Sequence, residues 1–156
     1  MIHPTAIIYP NVKIGKNVTV GAYCIIGAPA ESKKFWDKQG HGVVIKDNAI
    51  ITGHCTIDAG TVQPTVIGYN CFIMKGVHIG HDAIIRDNCT LSPHVVIGGH
   101  VIINEGVNMG ISSVVHQRQI IPRFCMIGMN STITKKTEMK EKGCYIGSPA
   151  RWIREN

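Results

Sequence analysis

Aliphatic side chains recur every six residues along most of this chain. Ile67, Ile73, Ile79, Ile85, Leu91, Ile97, Ile103, Met109, Val115, Ile121, Ile127 and Ile133 form an unbroken series at that spacing. Four residues after each comes a small or short side chain, such as Cys71, Val77, Ala83, Cys89, Val95 and Val101, with Gln119 the one large polar exception. The small residue and the next aliphatic lie two apart, so in an extended segment they face the same way. The residues between them favour corners, as in Arg86-Asp87-Asn88 and Ser92-Pro93-His94. A spacing of six cannot hold one face of a helix of 3.6 residues per turn. Short strand and corner in alternation predict an all-β chain, a parallel β-helix of hexapeptide repeats.

An earlier run, Ile2, Ile8, Ile14, Val20 and Ile26, obeys the same rule and then breaks. Between Ile26 and Ile45 lie 19 positions instead of six, and between Ile57 and Ile67 there are ten. If three rungs close one triangular coil, residues 18 apart stack at the ~4.8 Å spacing of a sheet. Ile79, Ile97, Val115 and Ile133 then share one edge of the prism, and counting rungs backwards adds Ile57 and Ile26. Both insertions therefore leave from the edge that carries His81, His100 and His116. That convergence predicts a cleft. Residues 1–133, with the long loop 27–44, form the predicted β-helix domain. Residues 134–156 read as a C-terminal cap or tail, and Thr134 to Gly143, too charged for core, read as a cap or short helix.

Composition narrows the chemistry. Five of the six cysteines, Cys24, Cys55, Cys71, Cys89 and Cys125, fall at small inward positions, so they are expected as core side chains, and no metal site is expected. Cys144 alone lies off the ladder. No run of 18 apolar residues occurs, and the N-terminal residues enter the repeat at once. Neither a membrane span nor a secretory signal is expected, and the cytoplasm is the expected compartment. The net charge of +6, crowded into the last third, suits acidic partners such as phosphorylated cofactors, nucleotide sugars or an acidic carrier protein. No aromatic stacking platform or recognition helix accompanies it, so no nucleic acid is expected.

Three segments carry a family resemblance. Met74 to Asp82 (with the H-x-x-H-D motif), Gly99-His100-Val101 and Val114-Val115-His116-Gln117 resemble the UDP-N-acetylglucosamine O-acyltransferases that open lipid A and lipopolysaccharide biosynthesis. The likeness runs from about Ile2 to Ile133 and includes both insertions. It implies a left-handed β-helix assembled as a homotrimer, with sites between subunits. It also implies a nucleotide-sugar acceptor and a thioester co-substrate, on acyl carrier protein or CoA, with no bound cofactor. Matched residue by residue, His81 takes the place of the general base and Asp82 that of the carboxylate orienting it. Gly99 matches the glycine whose N–H stabilises the oxyanion. His78, His100, His116 and Gln117 match substrate-lining positions, Lys34 a phosphate-contacting lysine, and Ser32 a sugar-binding aspartate. Two departures stand out. No counterpart of the family's C-terminal helical domain is expected, and Gly147-Ser148-Pro149-Ala150-Arg151 looks like the ending of small acetyl-CoA-dependent hexapeptide acetyltransferases.

The residue types suit acyl transfer. An imidazole can take the acceptor's proton near neutral pH, and a glycine lets a backbone N–H approach the developing oxyanion. His81 and Asp82 are adjacent, so they would point apart in a strand and can cooperate only at a corner. Three alternatives fit the same pattern. An acetyl-CoA-dependent sugar O- or N-acetyltransferase shares the ending, and a gamma-class carbonic anhydrase-like metalloenzyme would use His78, His81 and His100. A trimeric scaffold without catalysis needs only the prism.

Overall fold

The computed structural model describes residues 1–156 and contains strands and turns but no helix. It is a left-handed parallel β-helix. Each coil lays one short strand on each of three sheets, which hold seven, six and eight strands. The first sheet runs from Ile7–Ile8 through Ile25–Ala28, Thr56–Asp58, His78–Ile79, Val96–Ile97 and Val114–Val115 to Thr132–Ile133. Its register pairs Ile26 with Ile57, Ile57 with Ile79, Ile79 with Ile97 and Ile97 with Val115. The two insertions thus leave the stacking of inward residues undisturbed, and both depart from this sheet, as the counting of rungs predicts.

The inward pair on each side makes the core. A single apolar cluster of 32 buried residues runs the length of the prism, and it contains every aliphatic rung from Ile67 to Ile133. Each such side chain contributes about 1.5–3 kcal/mol on burial. The intervening outward positions are half-buried or exposed, so the strand pattern is one buried residue beside one wetter residue.

Corners turn on residues in the left-handed region. Asn70, Asp82, Asn88, His94, His100, Ser112, Arg118, Phe124 and Asn130 all have φ between 51° and 62°. Asn and Asp tolerate that conformation best. On one of these corners Asn17, Asn48, Asn70 and Asn88 also bond to one another in a column, amide to carbonyl, at 3.2–3.3 Å.

All six cysteines are buried and free. Cys55, Cys71, Cys89 and Cys125 each donate the thiol to a backbone carbonyl at a corner, at 3.1–3.2 Å. Cys144 lies off the ladder and is covered by the last strand.

The C-terminal segment corrects one expectation, because the charged stretch after Ile133 is not helical. The six-residue ladder continues through it, with Met139 packed against the core and Tyr145 buried on the same line. The Tyr145 hydroxyl sits on the backbone of Lys140, accepting its N–H at 2.7 Å, which closes the turn. Gly143–Ile146 adds to Met126–Ile127 in parallel, and Arg151–Glu155 then folds back antiparallel to finish the sheet. The charges lie outside a coil whose inward positions are still apolar.

Inward rungs and stacked thiols should differ in what they contribute. Ile85→Ala should lower stability by about 2–5 kcal/mol, the range for a buried aliphatic truncated to alanine. Cys89→Ala removes one small atom and should cost about 1 kcal/mol. Urea unfolding at fixed protein concentration checks both, and equal losses would refute the ladder as the main source of stability.

Candidate active site

The site grows from one corner of the first sheet. His81 and Asp82 follow the strand His78–Ile79, and Asp82 takes the left-handed conformation with φ 60°. That turn brings the two adjacent side chains together, which a strand forbids. His81 Nδ1 lies 2.6 Å from Asp82 Oδ2. The Asp82 side chain is fully buried, whereas His81 and His100 are each 22% exposed, so the rings face solvent and the carboxylate does not.

The shorter insertion exists, in structural terms, to hold that carboxylate. Thr61 donates its N–H to both oxygens at 2.9 and 3.0 Å and its hydroxyl to Oδ2 at 2.7 Å. Val62 and Gln63 donate their N–H groups to Oδ1 at 2.8 and 3.1 Å. The Gln63 side chain donates to the Asp82 carbonyl, and the Asp82 N–H donates to Thr65 Oγ1. Burial alone would raise the Asp82 pKa. The Val62 N–H, the His81 ring and the Thr61 donors outweigh it and hold the carboxyl well below the usual carboxylate range. An ionised carboxylate only accepts, so His81 holds a proton on Nδ1, and in its neutral form the ring presents a bare Nε2.

The two insertions brace each other. His41 donates its N–H to the Gly60 carbonyl at 2.7 Å, and Gly60 donates to Gly42 at 3.1 Å. A Cβ on Gly40 would sit 2.2 Å from the Gly60 carbonyl oxygen, so the contact requires glycine.

One coil on, Gly99 and His100 stand above His81 and Asp82. The His100 N–H donates to the His81 carbonyl at 2.9 Å, and its Nε2 lies 3.6 Å from Asp82 Oδ2. The His81 and His100 rings meet edge to face with centroids 5.1 Å apart. Burial lowers the His100 pKa; Arg118 and His81 lower it further against the opposing pull of Asp82. The Gly99 N–H donates to no protein group. A Cβ there would lie 2.8 Å from His81 Nε2, over the atom that would take a proton.

Other expected site residues separate into near and far. His78 lies on the same edge, its Nδ1 sharing a 2.8 Å hydrogen bond with Thr56 Oγ1 and its Nε2 4.0 Å from Asp58. His116 and Gln117 are exposed at the next corner, and His116 opens onto a cavity of about 480 Å³ that reaches Lys135, Lys136 and Ser148. Ser32 and Lys34 remain on the long loop, where the Lys34 ammonium sits 5.4 Å from the Phe35 ring centre. Within one chain they make no hydrogen bond or ion pair to the histidines. Trp36, beside Phe35, is 68% exposed. Sequence reasoning did not single out Thr61, Val62, Gln63, Thr56 or Asp58. The signal for the first three was the insertion itself, whose backbone N–H groups no residue type reveals.

His81, Asp82 and His100 bring potential metal-ligand atoms within 4.8 Å of one another. Both Asp82 oxygens are already taken by N–H and O–H donors, and His78 lies outside that cluster. The donor set therefore fits a hydrogen-bonded base better than a metal cage.

Prism, repeat and corner histidine together define a hexapeptide-repeat β-helix protein. The family model for bacterial transferase hexapeptide (six repeats) matches residues 1–28 and 64–99. Within that class the chain is similar to acyl-[acyl-carrier-protein]–UDP-N-acetylglucosamine O-acyltransferases. It is 33% identical over 126 residues to the enzyme of Campylobacter concisus, covering 79% of this chain and 48% of the relative. The solved UDP-N-acetylglucosamine O-acyltransferase of Moraxella catarrhalis superposes with a TM-score of 0.80 at 29% identity, over 99% of this chain and 74% of that one. The Acinetobacter baumannii structure gives 0.84 at 25% identity, with the same coverage. The chain spans about half the length of these curated relatives.

Asp82 should leave a mark on acid stability. Its folded pKa lies below the unfolded value of about 3.9, so the unfolded chain takes up the proton first. The stabilisation is complete above about pH 5 and is lost as pH falls through the unfolded value toward the folded one. Asp82→Asn should lose about 1–3 kcal/mol at pH 7, through mismatched N–H donors, and show a shallower acid limb below pH 5. Urea midpoints at pH 7 and pH 3.5 measure this, and an unchanged acid limb would refute it.

Proposed function

We propose that the chain is an acyltransferase. It moves an acyl group from the thioester of an acyl carrier protein or CoA to a hydroxyl or amine of a nucleotide-linked sugar of the UDP-N-acetylglucosamine type. The observation that carries this reading is the 2.6 Å pair of His81 with a fully buried, ionised Asp82, its Nε2 beside the side-chain-free face of Gly99. His81 takes the acceptor's proton at Nε2 as the nucleophile attacks the thioester carbonyl. Asp82 fixes the tautomer and stabilises the imidazolium that forms. The Gly99 N–H meets the negative charge developing on the carbonyl oxygen. The imidazolium then returns its proton to the departing thiolate. His78, His100, His116 and Gln117 line the acceptor and acyl channels, Ser32 the sugar and Lys34 the phosphates.

The departure of both insertions from the edge that bears the histidines supports a homotrimer in which loop 27–44 reaches a neighbouring site. Residues 1–133 then carry the chemistry and 134–156 cap the prism. No helix of the structure is long and apolar enough to cross a membrane, and the reading places the enzyme in the cytoplasm. The +6 charge favours the phosphates of a nucleotide sugar or CoA and an acidic carrier. The C-terminal ending favours acetyl-CoA as the alternative donor.

Sedimentation at micromolar concentration should show a trimer; an active monomer would refute the shared site. Mass spectrometry after offering UDP-sugars with CoA and carrier-protein thioesters of several lengths should detect an acylated product. In the same assay His81→Ala should lose about 10²–10⁴ in turnover, the range for removal of a general base, with the trimer intact. Asp82→Asn should fall between wild type and His81→Ala. Near-normal turnover in a folded His81→Ala trimer would remove this mechanism.

A further inference from the structure

A second carboxylate at this edge is built in the opposite way from Asp82. Asp58 ends the strand Thr56–Asp58, whose Ile57 pairs with Ile79, so it stands beside Gly80 and below His81. It is only 5% exposed, yet no side chain hydrogen-bonds to it. Its nearest cation-forming neighbour is His78, at 4.0 Å, and no lysine or arginine lies within ion-pair range. Asp58 opens into a cavity of about 280 Å³ lined by Thr56, His78, Glu31, Ile25 and Pro29. Burial raises its pKa, His78 and the Glu31 N–H oppose the rise, and the negative charge of Glu31 adds to it. Asp82 is held by a full set of protein donors, whereas Asp58 has only the Glu31 N–H and the His78 ring beside it.

A buried carboxylate with so few donors is costly. Two carboxyl groups facing one cavity are best matched by a ligand that brings both N–H donors and positive charge. A hydroxyl supplies a donor but no charge; a primary ammonium supplies both. We propose that Asp58, with Glu31 and His78, forms an amine-recognition subsite, so that the acceptor is a nucleotide-linked amino sugar and the product an amide. This rests on the acyl-transfer reading above and narrows its acceptor.

The proton count agrees with two base pairs on one edge. Transfer to a hydroxyl moves one proton, from oxygen to His81 and on to sulfur, while a C–O bond forms and the C–S bond breaks. An ammonium must first lose a proton, which the Asp58–His78 pair accepts and passes to water. The neutral amine then attacks, a C–N bond forms and the C–S bond breaks. The second N–H proton goes through His81 Nε2 to the thiolate. The products are an amide, a thiol and one proton released to solvent.

The test compares UDP-N-acetylglucosamine with its counterparts carrying an amine in place of the hydroxyl at C3 or C4, each with the same thioester. An amine form should win by at least about tenfold in kcat/KM, and its product should resist mild alkali, as an amide does and an ester does not. Asp58→Asn should lower amine kcat/KM by about thirtyfold or more while changing hydroxyl kcat/KM far less. Glu31→Gln, an exposed loop change that cannot unfold the prism, should lower the amine reaction several-fold. Equal or better use of the hydroxyl sugar, or an amine-to-hydroxyl ratio unchanged in both variants, would overturn the subsite while leaving acyl transfer standing. No acylated product from any of these sugars would count against both readings.

Discussion

Each side of this prism can bury two side chains per coil, and that constraint governs everything else in the molecule. The aliphatic at every sixth position and the small residue two before the next fill the interior completely, leaving no room there for chemistry. Backbone groups along the sides are consumed by neighbouring coils. Freedom remains only at the corners, where single residues in the left-handed region turn the chain and aim their side chains outward. A site on this fold must therefore be assembled from corner residues stacked a coil apart, and from whatever loops leave between coils.

This chain uses one corner for that purpose. Asp82 is the hub, because the loop around Thr61 spends its N–H groups on the carboxylate instead of on the sheet. The long loop is in turn bonded to the short one through Gly60. Two insertions that look unrelated in sequence become one brace, whose purpose is a charged, buried and immobile carboxylate under His81. Asp58 shows the contrast. It is buried on the same edge without such a brace, which is the reason to look for its partner in a ligand.

Much of this was legible from the chain alone. The ladder gave the strands, the three-rung coil gave the shared edge, and the departure of both insertions from that edge pointed to the cleft. The pairing of adjacent His81 and Asp82 followed once the register put them at a corner. Two things were hidden for definite physical reasons. Backbone donors carry no residue signature, so the grip of Thr61, Val62 and Gln63 on Asp82 could not be read. In the tail, surface charge masked a ladder that Met139 and Tyr145 continue at the same period, and a helix looked plausible where the coil simply goes on. Ser32 and Lys34 take their roles from resemblance alone, and within one chain neither bonds to His81.

The central claim is that Asp82 holds His81 with its proton on Nδ1 and a bare Nε2 aimed at the acceptor. Nitrogen-15 NMR of histidine-labelled protein tests this directly, with His81→Gln used to assign the ring. The account predicts that the neutral His81 ring keeps its proton on Nδ1, with Nε2 at the shift of an unprotonated imidazole nitrogen. A proton on Nε2 with Nδ1 bare would leave no base facing the site, and would contradict it.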